Sequence, residues 1–191
     1  MSNDLHLPQT TTADEGHRSA TGDRKTATSI VGDWNDLNPC IEGVYVHVPF
    51  CSHRCHYCDF FTVADQDEQR DAFVDRLLLE LESIPDWVGP DVRTIFVGGG
   101  TPTYLPPVDL RRMVSALSSR FNPKGPVEFT VEANPETITE EVAGILAAGG
   151  VNRVSLGAQS FDQELLTTLE RKHDPARVSR SVKLIRDAGI S

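Results

Sequence analysis

The chain has 191 residues, 18 basic and 28 acidic, and a formal net charge of −10. That length suits about one domain with room for a tail, and no apolar run approaches the ~20 residues a membrane span needs. A general nucleic-acid binder is expected to be basic, so neither nucleic acid nor a membrane span is an expected feature.

Residues 1 to about 38 are rich in Thr, Ser, Asp and Asn, with few apolar positions and no period. Such a segment cannot bury enough surface to offset its ordering entropy. A disordered N-terminal extension is therefore expected over 1–38, and an ordered domain over 39–191. The start has neither the basic residues nor the apolar stretch of a secretory signal, and Asp4, Asp14, Glu15 and Asp23 do not suit a transit peptide. The cysteines are Cys40, Cys51, Cys55 and Cys58. A disulfide framework would be spread out and secreted, so reduced thiols in a cytoplasmic protein are expected.

From Gly43 strand and helix signals alternate. The first strand is expected at Gly43–Val48. Phe73, Leu77, Leu81 and Ile84 then recur at helical spacing. A second strand follows at Arg93–Val97, and a second helical stripe at Leu110, Met113, Val114 and Leu117. The third strand is Val127–Glu132. Thr139 then caps a helix carrying Val142, Ile145 and Leu146. After a fourth strand at Asn152–Gly157 comes a stripe of Leu165, Leu166 and Leu169. A last helix has Asp174 as N-cap, Pro175 at its first position, Val178, Val182 and Ile185 inside, and Gly189 as its stop. Repeated βα units imply a parallel sheet. Parallel strands usually read as continuous apolar runs. Here apolar and polar residues alternate: Val44, Val46 and Val48 with Tyr45 and His47, then Val127, Phe129 and Val131 with Glu128, Thr130 and Glu132. A barrel or part-barrel with helices outside and a polar lumen meets that pattern.

Chemistry-bearing motifs follow each strand. Cys51-Ser-His-Arg-Cys55-His-Tyr-Cys58 places three thiols on one loop. Zinc would take a fourth ligand from His53, His56 or Cys40. A 4Fe-4S cluster usually takes four cysteines, and three leave one iron open. Phe96-Val-Gly98-Gly99-Gly100-Thr101-Pro102 lets backbone approach a ligand closely, but it is neither a dinucleotide fingerprint nor a phosphate loop. Glu132 and Gln159 end the third and fourth strands, and their carboxylate and amide suit ribose hydroxyls. All four features sit just past the carboxyl ends of successive strands, the rim where such folds bind ligands.

Together these residues resemble the radical S-adenosylmethionine superfamily over about Gly43 to Ser191. Tyr45-Val-His-Val-Pro-Phe-Cys51, Tyr57-Cys-Asp-Phe60, Gly98-Gly-Gly-Thr-Pro102, Glu132-Ala-Asn-Pro135 and Ser155-Leu-Gly-Ala-Gln-Ser-Phe161 resemble its oxygen-independent coproporphyrinogen oxidase-like branch. The resemblance is best to the HemW-type heme chaperones. It implies an α/β fold, part of a (β/α)6 barrel with about four βα units present. Cys51, Cys55 and Cys58 would then hold a 4Fe-4S cluster, and its open iron would bind S-adenosylmethionine. Tyr45, Tyr57, Gly99, Gly100, Thr101, Glu132, Gln159 and Arg171 match cofactor-site positions. Arg171 suits a carboxylate, which a guanidinium pairs bidentately.

Coproporphyrinogen oxidases carry another cysteine two residues after the third ligand. Here that position is Phe60, which favours heme binding and delivery over oxidative decarboxylation. The implied partners are heme or a porphyrinogen, a one-electron reductant and a heme acceptor protein. With four strands against the family's six βα units, the chain is expected to be an N-terminal portion of a longer protein. Heme binding is expected to need the rest.

Overall fold

The computed structural model describes residues 40–64, 67–89, 91–121 and 127–191. The segment 1–38, expected to be disordered, lies outside the described residues. Four strands, β1 (Gly43–Val48), β2 (Thr94–Gly99), β3 (Glu128–Ala133) and β4 (Arg153–Leu156), form one sheet in the order β1-β2-β3-β4. Every neighbouring pair is parallel. Helix α1 (Arg70–Ser83) connects β1 to β2, α2 (Pro107–Phe121) connects β2 to β3, and α3 (Glu140–Ala148) connects β3 to β4. Two more, α4 (Gln163–Thr168) and α5 (Pro175–Asp187), follow β4. Four βα units with all-parallel pairing are what the alternating signals predict.

The boundaries differ where glycine and turn chemistry decide them. β2 runs two residues past its expected end, because Gly98 and Gly99 stay in register with His47 and Val48. β4 is shorter than expected at both ends. Asn152 precedes the strand: its backbone N–H still donates to Phe129 O (3.1 Å), while its side chain accepts from Phe129 N (2.9 Å) and donates to Val127 O (2.7 Å). Gly157 lies past the strand but still donates to Ala133 O at 2.8 Å.

The alternation has a structural meaning. Val46, Val48, Ile95, Val97, Phe129, Val131 and Ala133 point to one face and are buried. The helices cover that face. α2 contributes Leu110, Met113, Val114, Leu117 and Phe121, each at most 1% exposed. α3 adds Val142, Ile145 and Leu146, and the Thr139 side chain accepts from Val142 N at 3.1 Å, as its cap role predicts. Each buried side chain of this size is worth roughly 1.5–3 kcal/mol relative to exposure. The other face carries Tyr45, His47, Phe96, Glu132 and Ser155, by alternation and by register.

Some residues of the expected helical stripes lie outside the helices or their buried faces. Ile84 and Leu169 are the C-caps of α1 and α4, and Ile84 still packs against the core. Leu165 is exposed, because six-residue α4 presents only Leu166 inward. In α5 the buried stripe is Val178, Ser181 and Ile185, and Val182 lies at its exposed edge. Ser181 is tolerated in the core because its hydroxyl donates to Pro135 O at 2.9 Å.

Candidate cofactor site at the carboxyl rim

The loop after β1 is a closed excursion. Cys51 N donates to Val63 O (3.0 Å) and Val63 N to Pro49 O (2.9 Å), so the chain leaves the end of β1 and returns beside it. His47 pins the returning arm through Nε2, which donates to Phe61 O at 2.8 Å; the Tyr45 hydroxyl is bonded to its Nδ1 at 3.0 Å. Cys58 N donates to Cys55 O at 2.9 Å, which tightens the loop between two of the thiols. Cys51, Cys55 and Cys58 are free and partly buried, whereas Cys40 is exposed.

The glycine run is stitched to the same strand end. Gly100 N donates to Val48 O and Thr101 N to Phe50 O, both at 2.8 Å. A β-carbon on Gly100 would sit 2.7 Å from the Phe50 carbonyl oxygen, so the approach admits only glycine. Gly99 has φ +106°, and a β-carbon there would stand 2.5 Å from the His47 ring. Its N–H donates to Glu132 Oε2 at 3.2 Å. Gly98 leaves the room that this carboxylate occupies, since a β-carbon would lie 2.6 Å from the same oxygen.

A polar chain joins these parts. The Cys51 thiol lies 3.6 Å from Thr101 Oγ1, which accepts from Asn134 Nδ2 at 3.0 Å. Asn134 Oδ1 accepts from Arg171 Nη2 at 2.5 Å, and the same nitrogen donates to Gly157 O at 2.9 Å. Arg171 Nη1 reaches Cys55 Sγ at 3.9 Å. The path thus runs from one cysteine to another through residues after β1, β2, β3 and α4. Burial pushes the Cys51 thiol up, opposed by its Thr101 hydrogen bond and, more weakly, by the Arg171 charge. Burial likewise raises Tyr57, against the pull of Arg171. Burial also raises Tyr45, helped by the Glu132 carboxylate.

The result is a cavity of about 360 Å³ at the carboxyl ends of the strands. Cys51, Cys55, Tyr57, Cys58, Gly99, Gly100, Thr101, Glu132, Gln159 and Arg171 all line it. Tyr45 is the one expected site residue that does not. It stands lower on β1, against Phe96 and His47, in a second hollow beside α1. Gln159 takes its place through a left-handed backbone, φ 59°. Among the described residues no three His, Cys, Asp or Glu side chains are grouped to hold a single metal ion. His53 and His56 turn to Glu170, at 3.2 and 3.3 Å.

Sequence reasoning missed Asn134, which bridges Thr101 and Arg171. Its signal was its place two residues after Glu132 at the end of β3. Glu170 was also missed, and nothing in the sequence pattern marks it.

A model of the radical SAM superfamily matches residues 45–191. The chain belongs to this superfamily. Among proteins it resembles is the heme chaperone HemW of Lactococcus lactis, 41% identical over 146 residues, or 76% of this chain and 38% of that protein. Another is the oxygen-independent coproporphyrinogen III oxidase of Paracoccus denitrificans, 37% identical over 85% of this chain and 37% of that protein. Among solved structures, the coproporphyrinogen III oxidase HemN of Escherichia coli, a radical SAM enzyme, superposes with a TM-score of 0.70. It is 29% identical and the match covers 78% of this chain and 35% of that one. The chain therefore spans under two fifths of the length of these relatives. The radical SAM α/β fold expected from the motifs is the fold observed. Among the described residues no helix is long and apolar enough to cross a membrane.

Proposed function

We propose that this chain supplies the cluster- and cofactor-binding part of a HemW-type heme chaperone acting in heme or porphyrin metabolism. The observation that carries the reading is the single cavity lined by three free thiols, Glu132, Gln159 and Arg171. The donor set fits a 4Fe-4S cluster with one iron left open for S-adenosylmethionine. Three cysteines on one loop are its usual kind of ligand. Arg171 Nε is buried without a hydrogen-bond partner, a vacancy that an acceptor atom of a bound group would fill.

In this reading Cys51, Cys55 and Cys58 hold the cluster, which when bound supplies one-electron reduction. Arg171 pairs with the cofactor carboxylate, and Glu132 and Gln159 accept and donate hydrogen bonds at its ribose. Gly99, Gly100 and Thr101 bring backbone close to its methionine end. Tyr57 covers the loop side, and Tyr45 supports His47 from below. The protein's part is to bind, orient and keep water from the reacting atoms. Heme, a one-electron reductant and a heme acceptor protein are the proposed partners, in the cytoplasm.

The second reading is an oxygen-independent coproporphyrinogen III oxidase. The likeness to the Paracoccus protein and to HemN favours it; Phe60, at the position where the oxidases carry a further cysteine, favours the chaperone. The test uses the full-length protein that carries this sequence, reconstituted with iron and sulfide without oxygen. The chaperone reading expects heme binding and transfer with no decarboxylation of coproporphyrinogen III. Turnover of that substrate would decide for the oxidase, and zinc in place of iron would sink both.

A further inference from the structure

Glu170 sits in the turn between α4 and α5 with φ 55°, one of two non-glycine residues with positive φ among those described. A side chain resists that region, and such an outlier persists only where its surroundings hold it. The turn itself is fixed by Glu170 N donating to Thr167 O (3.0 Å) and Arg171 N to Leu166 O (2.8 Å). Its consequence is the direction of the carboxylate. Glu170 Oε2 accepts from His53 Nε2 and from the His56 backbone N–H, both at 3.2 Å, and lies 3.3 Å from His56 Nδ1. One oxygen therefore holds the cysteine loop at three points, on either side of Cys55. The next residue, Arg171, reaches Cys55 Sγ itself at 3.9 Å.

We propose that Glu170 is a positioning residue that holds the cysteine loop ready for its cluster before the cluster arrives. The proposal rests on reading that loop as the cluster site. A loop already ordered loses less conformational freedom when its ligand binds. A bare turn requirement makes the opposite demand, since glycine adopts positive φ without strain.

Hydrogen exchange of the metal-free, reduced full-length protein that carries this sequence, at one pH, separates the two. In Glu170→Gly we expect the His56 amide to exchange ~10-fold faster, as loss of a charge-assisted bond implies. The Arg171 amide, which reports the turn, should stay protected and the melting temperature should hold or rise. Glu170→Asn tolerates the left-handed region but is one methylene short of the loop, so it should also lose the His56 protection. Glu170→Gln keeps an oxygen acceptor at full reach and should restore most of it. Anaerobic cluster insertion, followed by visible absorbance, should slow several-fold in the Gly and Asn variants and recover in the Gln variant. Wild-type His56 protection in the Gly or Asn variant, with the turn intact, would overturn the proposal. If wild-type protein takes up no cluster at all, the reading of the site falls, while the exchange result still decides what Glu170 does.

Discussion

Two regions of the same four strands are built on opposite terms. On the helix-covered face Val46, Val97, Phe129 and Val131 belong to one buried apolar cluster with side chains of α2 and α3. At the carboxyl rim Thr101 and Asn134, just past β2 and β3, and Arg171, just past α4, are fixed by directed hydrogen bonds and line a cavity. Apolar packing is non-directional, so the first region tolerates swaps of similar volume. Polar geometry is specific, so the second region tolerates few changes but contributes little to folding. Under the proposed function, stability and binding are thereby carried by different residues of the domain.

The largest expected effect lies in the packed region. Leu117 is fully buried in α2, and Leu117→Ala should destabilise the chain by about 2–5 kcal/mol through lost transfer energy and a cavity. Denaturant unfolding measures it, and a loss under about 1 kcal/mol would break the claim that α2 anchors the core. At the rim, Arg171→Lys keeps the charge but loses the planar fork that reaches Asn134, Gly157 and Cys55. S-adenosylmethionine binding by the reconstituted full-length protein should weaken ~10–100-fold, the range of one or two charge-assisted bonds. Unfolding should shift by less than about 1 kcal/mol. Titration calorimetry beside thermal unfolding tests the contrast, which fails if the two losses are equal. Between the regions lies the α3 cap: Thr139→Ala removes the bond to Val142 N and should cost about 1 kcal/mol without changing cofactor binding.

The two regions also differed in how far the sequence disclosed them. Period and caps located the packed region because burial repeats with the helix: Leu110, Met113, Val114 and Leu117 are one stripe in both. Where an element is short, the period has too few residues to speak, which is why Leu165 reads as core and stands exposed. The rim was legible as motifs at strand ends, since Cys51, Gly99, Glu132 and Gln159 each lie within three residues of one. Their mutual contacts were not. The Asn134–Arg171 bond joins residues 37 apart, and the Glu170–His53 bond joins residues 117 apart. No local pattern encodes such pairs, because only the parallel crossovers bring them together. Tyr45 shows the converse. Its motif context points to the site, but strand geometry leaves it below the cavity, where it braces His47.

The smallest expected effect has the opposite sign and sharpens the comparison through glycine. At the rim glycines are obligatory: positive φ and the His47 ring exclude a side chain at Gly99. Gly144 lies in the middle of α3, exposed, with nothing within 4 Å of a β-carbon built there. Its backbone is helical, so it uses none of the freedom for which glycine is otherwise needed. Gly144→Ala should therefore stabilise the chain by about 0.5–1 kcal/mol, because alanine has less backbone entropy to lose in a helix. Cofactor binding should not change. Denaturant midpoints at constant slope give the difference directly. Measured in the full-length protein, a destabilised Gly144→Ala would mean that α3 packs against something on that face, and the helix-covered side would then be an interface as well as a core.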